Sequence, residues 1–359
     1  MTTALPTGPA TGGAPTDRSS PDRPSPDRPS PDRPREADLL DVVVVGGGPA
    51  GLAAAVALAR SLRRVTVVDA GEPRNAPAAG AHNLLGREGV PPRLLLADGR
   101  REAEGYGAVV LDDRVVAARR AADDRPEAPR FVVDLASGRT LRARRVLLAT
   151  GLVDELPDVP GVAEHWGGAV LHCPYCHGWE VRGRRVAVLA TSARAVHVAL
   201  LLRQLTPDVT LLTHTAPDLD ADAWEALAAR DVAVVDGPVE RLRSESGVLR
   251  AVVLAGGREV AVDAVAVAPR FVARGGLYTA LGGTLVEHPM GAPVVPADPT
   301  GRTPVPGVWA AGNVDDLAAM VAVAAGAGLL AGAGLNGDLV TEDVAAAVAA
   351  RRGTAVPAR

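Results

Sequence analysis

The 359-residue chain contains no lysine, so every basic side chain is an arginine. With its alanine and glycine richness, this marks a compositional bias of the genome and not a function. Cysteine is nearly absent too: Cys173 and Cys176 are the only two. A structural zinc site needs four ligands. No second cysteine pair exists to complete one, and His82, His165, His197, His214 and His288 stand singly. Charge of one sign is not concentrated anywhere; the formal net charge is −4 with acids and bases interspersed. No electrostatic footprint for nucleic acid follows from that pattern. The N-terminus lacks a cationic segment leading into an apolar one, so no secretory signal is expected and the cytoplasm is the expected compartment.

What is present begins with the spacing of the two thiols in His172-Cys173-Pro174-Tyr175-Cys176-His177-Gly178. C-x-x-C serves both zinc and redox chemistry, and the missing further ligands favour a dithiol that makes and breaks one local disulfide. In a reducing compartment such a pair is a catalyst and not a staple.

Three copies of Ser-Pro-Asp-Arg-Pro run from Ser20 to Pro34. Proline this dense supplies neither helix nor ladder hydrogen bonds, so residues 1–36 are expected to be a disordered tail. Order is expected from Asp41. Val42-Val43-Val44-Val45 reads as a buried parallel strand, followed by a glycine turn and a helix from Leu52 to Arg60. Gly46, Gly48 and Gly51 make G-x-G-x-x-G in the strand–turn–helix setting of a dinucleotide site. The glycines permit the tight turn, close approach of a pyrophosphate, and helix–strand packing. The next strand, Val65–Val68, ends at Asp69, where an acid binding an adenosine ribose belongs. Leu317 to Leu335 carries no charge. It is long enough to span a membrane but is mostly alanine and glycine without aromatic anchors, so a buried helix is expected.

Two further segments, Arg145-Val-Leu-Leu-Ala-Thr150-Gly151 and Val308-Trp-Ala-Ala-Gly312-Asn313, complete a pattern. From about Asp41 to about Leu339 the chain resembles the two-dinucleotide-domain flavoproteins, and within them the low-molecular-weight thioredoxin reductases. The resemblance implies an α/β fold of two Rossmann-like doubly wound three-layer domains. The FAD domain would be split between residues 37–151 and 270–345. The disulfide domain would occupy 152–269, and 346–359 would be a C-terminal tail. It implies FAD held by Gly46, Gly48, Pro49, Ala50, Gly51 and Asp69. Thr150, Gly151, Gly312, Asn313 and Val314 would follow on the far side. Arg74, Asn75, Asn83 and Val115 are the remaining expected flavin contacts. Asn313 departs from the family, which has an acid there; an amide still hydrogen-bonds a hydroxyl. Val109 to Leu148 is expected to form the family's β-meander, and a homodimer is implied.

The middle domain departs from a thioredoxin reductase in three places. Leu189-Ala190-Thr191-Ser192-Ala193-Arg194-Ala195 has none of the turn glycines that a pyrophosphate needs. His214-Thr215-Ala216-Pro217-Asp218 lacks the arginines that grip an NADP phosphate, and Ala266-Val267-Ala268-Pro269 replaces the closing Ala-Ile-Gly. NADPH binding is therefore expected to be weak or absent. The pattern resembles the flavin-dependent dithiol oxidases that close disulfides in natural products such as gliotoxin, holomycin and romidepsin. That resemblance implies a small-molecule dithiol substrate, dioxygen as acceptor, and neither nucleic acid nor membrane as partner. Cys173 would exchange with substrate and Cys176 would face the flavin. His177, where the reductases carry an aspartate, would move the proton; a capping or packing role is the alternative. A reductase fed by NADPH or ferredoxin, and a flavin redox-sensing or binding protein, are the competing readings. No metal is implied.

Overall fold

The computed structural model describes residues 39–125 and 130–353; the proline-rich repeats and the last six residues lie outside them. The β-branched run expected at Val42–Val45 is the buried centre of β1 (Leu39–Val45). Helix α1 (Pro49–Arg60) starts on a proline whose fixed φ suits a first helical position. There follow β2 (Val65–Asp69), α2 (Pro92–Gly105), β3 (Val109–Asp112), β4 (Val115–Arg120), β5 (Phe131–Leu135) and β6 (Thr140–Leu148). β1 lies between β2 and β6, all parallel, and β3 adds in parallel outside β2. Beyond β6 the sheet turns antiparallel through β5 and β4. The meander is thus confined to β4–β6. Val109–Asp112 belongs instead to the parallel sheet, because its residues register with Thr66–Asp69.

Strands β7 (Leu152–Glu155) and, far along the chain, β16 (Arg270–Ala273) pair as an antiparallel ribbon. Between them comes a second unit. Its elements are β8 (Val170–Leu171), α3 (Pro174–His177), β9 (Val186–Leu189), α4 (Arg194–Leu202), β10 (Val209–Leu212), α5 (Ala221–Ala229) and β11 (Ala233–Val235), then β12 (Val239–Glu245), β13 (Val248–Leu254), β14 (Glu259–Ala261) and β15 (Ala264–Val267). A parallel sheet in the order β11-β10-β9-β15-β8 forms its middle layer. α4 and α5 bury one face of that sheet, and the antiparallel β12–β14 sheet buries the other.

The chain then returns through α6 (Gly276–Ala280), β17 (Val286–His288) and β18 (Ala292–Val294) to β19 (Val308–Ala310), which joins β6 in parallel. The last element is α7 (Val321–Gly353). It corrects two expectations. The helix begins four residues after Leu317 and runs through Gly353, past the tail expected from 346. It is also buried on one side only: Ala324, Gly328, Ala331 and Leu335 face α1 and β19, whereas Val323, Leu329 and Leu330 are exposed. Small residues decide the inner face. A Cβ on Gly328 would collide with the carbonyl of Ala50, so the two helices touch backbone to backbone. Farther along, Asp338 and Glu342 pair with the buried Arg145 at 2.6 and 2.8 Å, and Asp343 with Arg63 at 2.7 Å.

Candidate active site

A cavity of about 1040 Å³ opens where β1 has its parallel neighbours on both sides, the switch point at which doubly wound sheets bind ligands. Gly46 turns left-handed at φ +108° beneath the carbonyl of Ala149, a conformation and an approach that a side chain would forbid. A Cβ on Gly48 would meet nothing within 4 Å, so that position borders open space. No side chain caps α1, which leaves its first N–H groups facing the cavity. Gly51 does not line the cavity; its missing side chain lets α1 press against the carbonyl of Gly46. Asp69 receives the Gly47 N–H at 3.1 Å and lines the wall.

The dithiol forms another part of the same wall. Cys173 precedes α3 and caps it: its Sγ accepts the backbone N–H of Cys176 at 3.2 Å. Pro174 at the first helical position enforces the turn that brings the sulfurs together. The Cys176 thiol also donates to Cys173, and with the N–H groups of Cys176 and Tyr175 it draws the Cys173 pKa down to about 7. Donating that proton, and burial, push the Cys176 thiol up. One sulfur is thus a ready thiolate and the other keeps its proton. His177 lines the cavity beside them, its side chain without a hydrogen bond among the described residues, and burial lowers its pKa.

Residues 40–328 match the pyridine nucleotide-disulphide oxidoreductase family. The chain belongs to that family. It is 32% identical over 287 residues to thioredoxin reductase tcpT of Claviceps purpurea (strain 20.1), spanning 77% of this chain and 87% of the relative. It is 31% identical over 326 residues to thioredoxin reductase sirT of Leptosphaeria maculans, spanning 86% and 97%. The crystal structure of HlmI superposes with a TM-score of 0.83 at 49% identity, covering 89% of this chain and 98% of HlmI.

As a member of the family, the protein is a flavin disulfide oxidoreductase of thioredoxin reductase-like fold, and its cofactor is FAD. The cradle fits the group: open space at Gly48 and free N–H groups at α1 suit a pyrophosphate, and Asp69 suits a ribose. Pro49, Ala50, Thr150, Gly151, Gly312 and Asn313 line the cavity, as do Asn75 and Val115. Val314 does not; its side chain is buried in the core and its carbonyl accepts from Val295.

Two loop residues fall in unexpected roles. Arg74 lines the cavity, but its guanidinium grips Asp154 on β7 through two 2.7 Å hydrogen bonds and lies 5.0 Å from the Phe271 ring on β16. It also donates to Asn313 Oδ1 at 3.2 Å. It is therefore a clamp on the ribbon between the units. Asn83 lies off the cavity, a correction to the flavin contact expected of it. Its amide donates to the Tyr175 carbonyl at 2.7 Å, pinning α3 from the flavin side. Sequence reasoning overlooked His172, which packs edge-on against Phe271 and hydrogen-bonds the Val267 carbonyl; burial lowers its pKa. Its position next to Cys173 was the available signal.

The second unit's turn differs from the first. No residue from Leu189 to Ala195 has a positive φ. His214 is also committed elsewhere, since its Nδ1 accepts the Val239 N–H at 3.0 Å and burial lowers its pKa. With Nδ1 taken as an acceptor, the neutral imidazole keeps only its Nε2–H, one uncharged donor where a phosphate needs a cation.

Proposed function

We propose that this flavoenzyme is a dithiol oxidase that closes a disulfide within a small molecule, with dioxygen as final acceptor. One observation carries the reading. The second unit keeps its sheet and helices but has no glycine turn and no phosphate-gripping cation at His214, while the dithiol and flavin cradle are intact. In this reading electrons enter through the thiols.

Starting from the Cys173–Cys176 disulfide, a substrate thiolate attacks Cys173 Sγ, and Cys176 is released and takes up the proton that the substrate thiol gave up, the form its burial favours. The second substrate thiol then attacks the substrate's own bound sulfur, closing its ring and expelling Cys173. A pKa of about 7 makes Cys173 a good leaving group. His177, neutral at pH 7 because burial lowers its pKa, takes the proton of that second thiol. When bound, FAD would supply the two-electron relay from the reduced Cys173–Cys176 pair to dioxygen. In balance, dithiol plus dioxygen gives disulfide plus hydrogen peroxide. The relatives are named thioredoxin reductases; the reading departs from that name only in where electrons enter. It also takes the protein as a homodimer, which the exposed apolar edge of α7 at Val323, Leu329 and Leu330 supports; sedimentation as a monomer at micromolar concentration refutes that part.

The test is an anaerobic stopped-flow comparison. Each lost charge-assisted phosphate hydrogen bond costs on the order of 1.5–3 kcal/mol, and two or three move a micromolar site to millimolar. Millimolar NADPH should leave the flavin oxidised for minutes. Dithiothreitol should bleach it, and air should restore the colour with one peroxide per dithiol. Rapid bleaching by micromolar NADPH would make the enzyme a reductase.

A further inference from the structure

Resting on the oxidase reading of this cavity, we propose that one face of α4 selects the substrate. The substrate is a dithiol bearing a carboxylate on a short apolar body, and Arg194 recognises that carboxylate. Arg194, His197, Val198 and Leu201 fall at i, i+3, i+4 and i+7, so they share one side of the helix. All four line the cavity that holds Cys173 and Cys176. At a rise of about 1.5 Å per residue the stripe is roughly 10 Å long. It grades from an exposed cation through an imidazole to two half-buried aliphatic side chains. A ligand that satisfies this gradient is anionic at one end and apolar along its length.

Arg194 is free to bind such a group. Among the described residues its side chain has no ion pair or hydrogen bond, whereas Arg74 on the same cavity is held by Asp154. No acid accompanies it in the first turn of α4. A cation at the positive end of a helix dipole is electrostatically unfavourable, so its place is not explained by helix stability. Its charge reaches the link between β8 and the dithiol helix: after burial and Arg74, it helps depress the basicity of His172, the residue before Cys173. The carboxylate near that end, Asp154, is already neutralised by Arg74. Asp69, Glu72 and Asp113 line the cavity from the flavin side, on β2, just beyond it, and between β3 and β4. The free charge on the α4 face is therefore positive.

The holoenzyme is tested with two probes that differ in one group: dihydrolipoate, and its uncharged amide dihydrolipoamide. The concentration dependence of anaerobic flavin bleaching gives an apparent Kd for each. Wild type should bind the acid about tenfold more tightly than the amide, the scale of one charge-assisted hydrogen bond. Arg194→Gln should bring the acid-to-amide ratio to about one, and Arg194→Lys should recover part of it. Octanoate, which has no thiol, should bind wild type in calorimetry more tightly than octanamide, giving a readout independent of turnover. Equal affinities for acid and amide in wild type, or equal weakening of both by Arg194→Gln, would overturn the inference while leaving the oxidase intact. Failure of every dithiol to bleach the flavin, dithiothreitol included, would overturn the oxidase reading and this one with it.

Discussion

Position 177 carries an imidazole against the dithiol helix, held off its usual pKa by burial. A neutral base there accepts a thiol proton at pH 7 and is lost only as acid protonates it. His177→Ala should therefore slow dithiothreitol-driven oxygen uptake roughly a hundredfold and flatten the acid side of the pH profile. A change under about threefold would return His177 to packing. Asp315 makes a separate case. Burial first, then the charge of Asp316, raises its pKa to about 7, and one carboxyl oxygen is buried without a partner beside a cavity of about 180 Å³. The folded state therefore holds a proton that the unfolded chain has released above about pH 4. Stability is lost as pH climbs from there to 7, at about 1.4 kcal/mol for each tenfold change in acidity. Asp315→Asn should raise the melting temperature more at pH 8 than at pH 5; an equal shift at both would show that the carboxyl does not titrate in this way.

Individual residues were legible where their chemistry is written locally. Gly46 and Gly48, or Cys173 and Cys176, act through neighbours a few positions away. Arg74 and Asn83 do not: their partners Asp154 and Tyr175 stand 80 and 92 residues along the chain. No local pattern distinguishes a flavin contact from an inter-unit clamp.

At the scale of elements, α7 shows what composition hides. Its alanine and glycine run suggested a buried helix without saying how much of it is covered, and close backbone contact with α1 needs small residues on one side only. Its far half is held by charge, with Glu342 pairing with Arg130, Arg144 and the buried Arg145. Removing one partner of a buried pair leaves an uncompensated ion, at a cost of about 3–5 kcal/mol when isolation is complete. Asp338 still faces Arg145, so Glu342→Ala should cost nearer 3 kcal/mol by urea melts; a loss under about 1 kcal/mol would mean solvent screens the network. Strands were legible as apolar β-branched runs, but not their neighbours. β3 reads like part of a meander until its register with β2 is seen.

At the scale of the molecule, the second unit is an insertion whose ends meet. Glu155 and Arg270 face each other across the β7–β16 ribbon and form an ion pair. A segment from 156 to 269 contains its own sheet and two apolar clusters, so it should fold alone with a cooperative thermal transition. A segment without one would show that the flavin unit supports it.

That insertion also fixes an order in time. A ribosome finishes residues 152–269 while the flavin unit still lacks β19 and α7, and domains fold largely as they emerge. Until those elements emerge, β6 has an open edge at Val146–Leu148, α1 is covered by α2 but not by α7, and the wall at Gly312 and Asn313 does not exist. A nascent chain thus carries a finished pair of thiols opposite an unfinished cradle. Cofactor capture waits for β19 and α7, and a chain cut short before them keeps its reactive sulfur with nothing to receive the electrons.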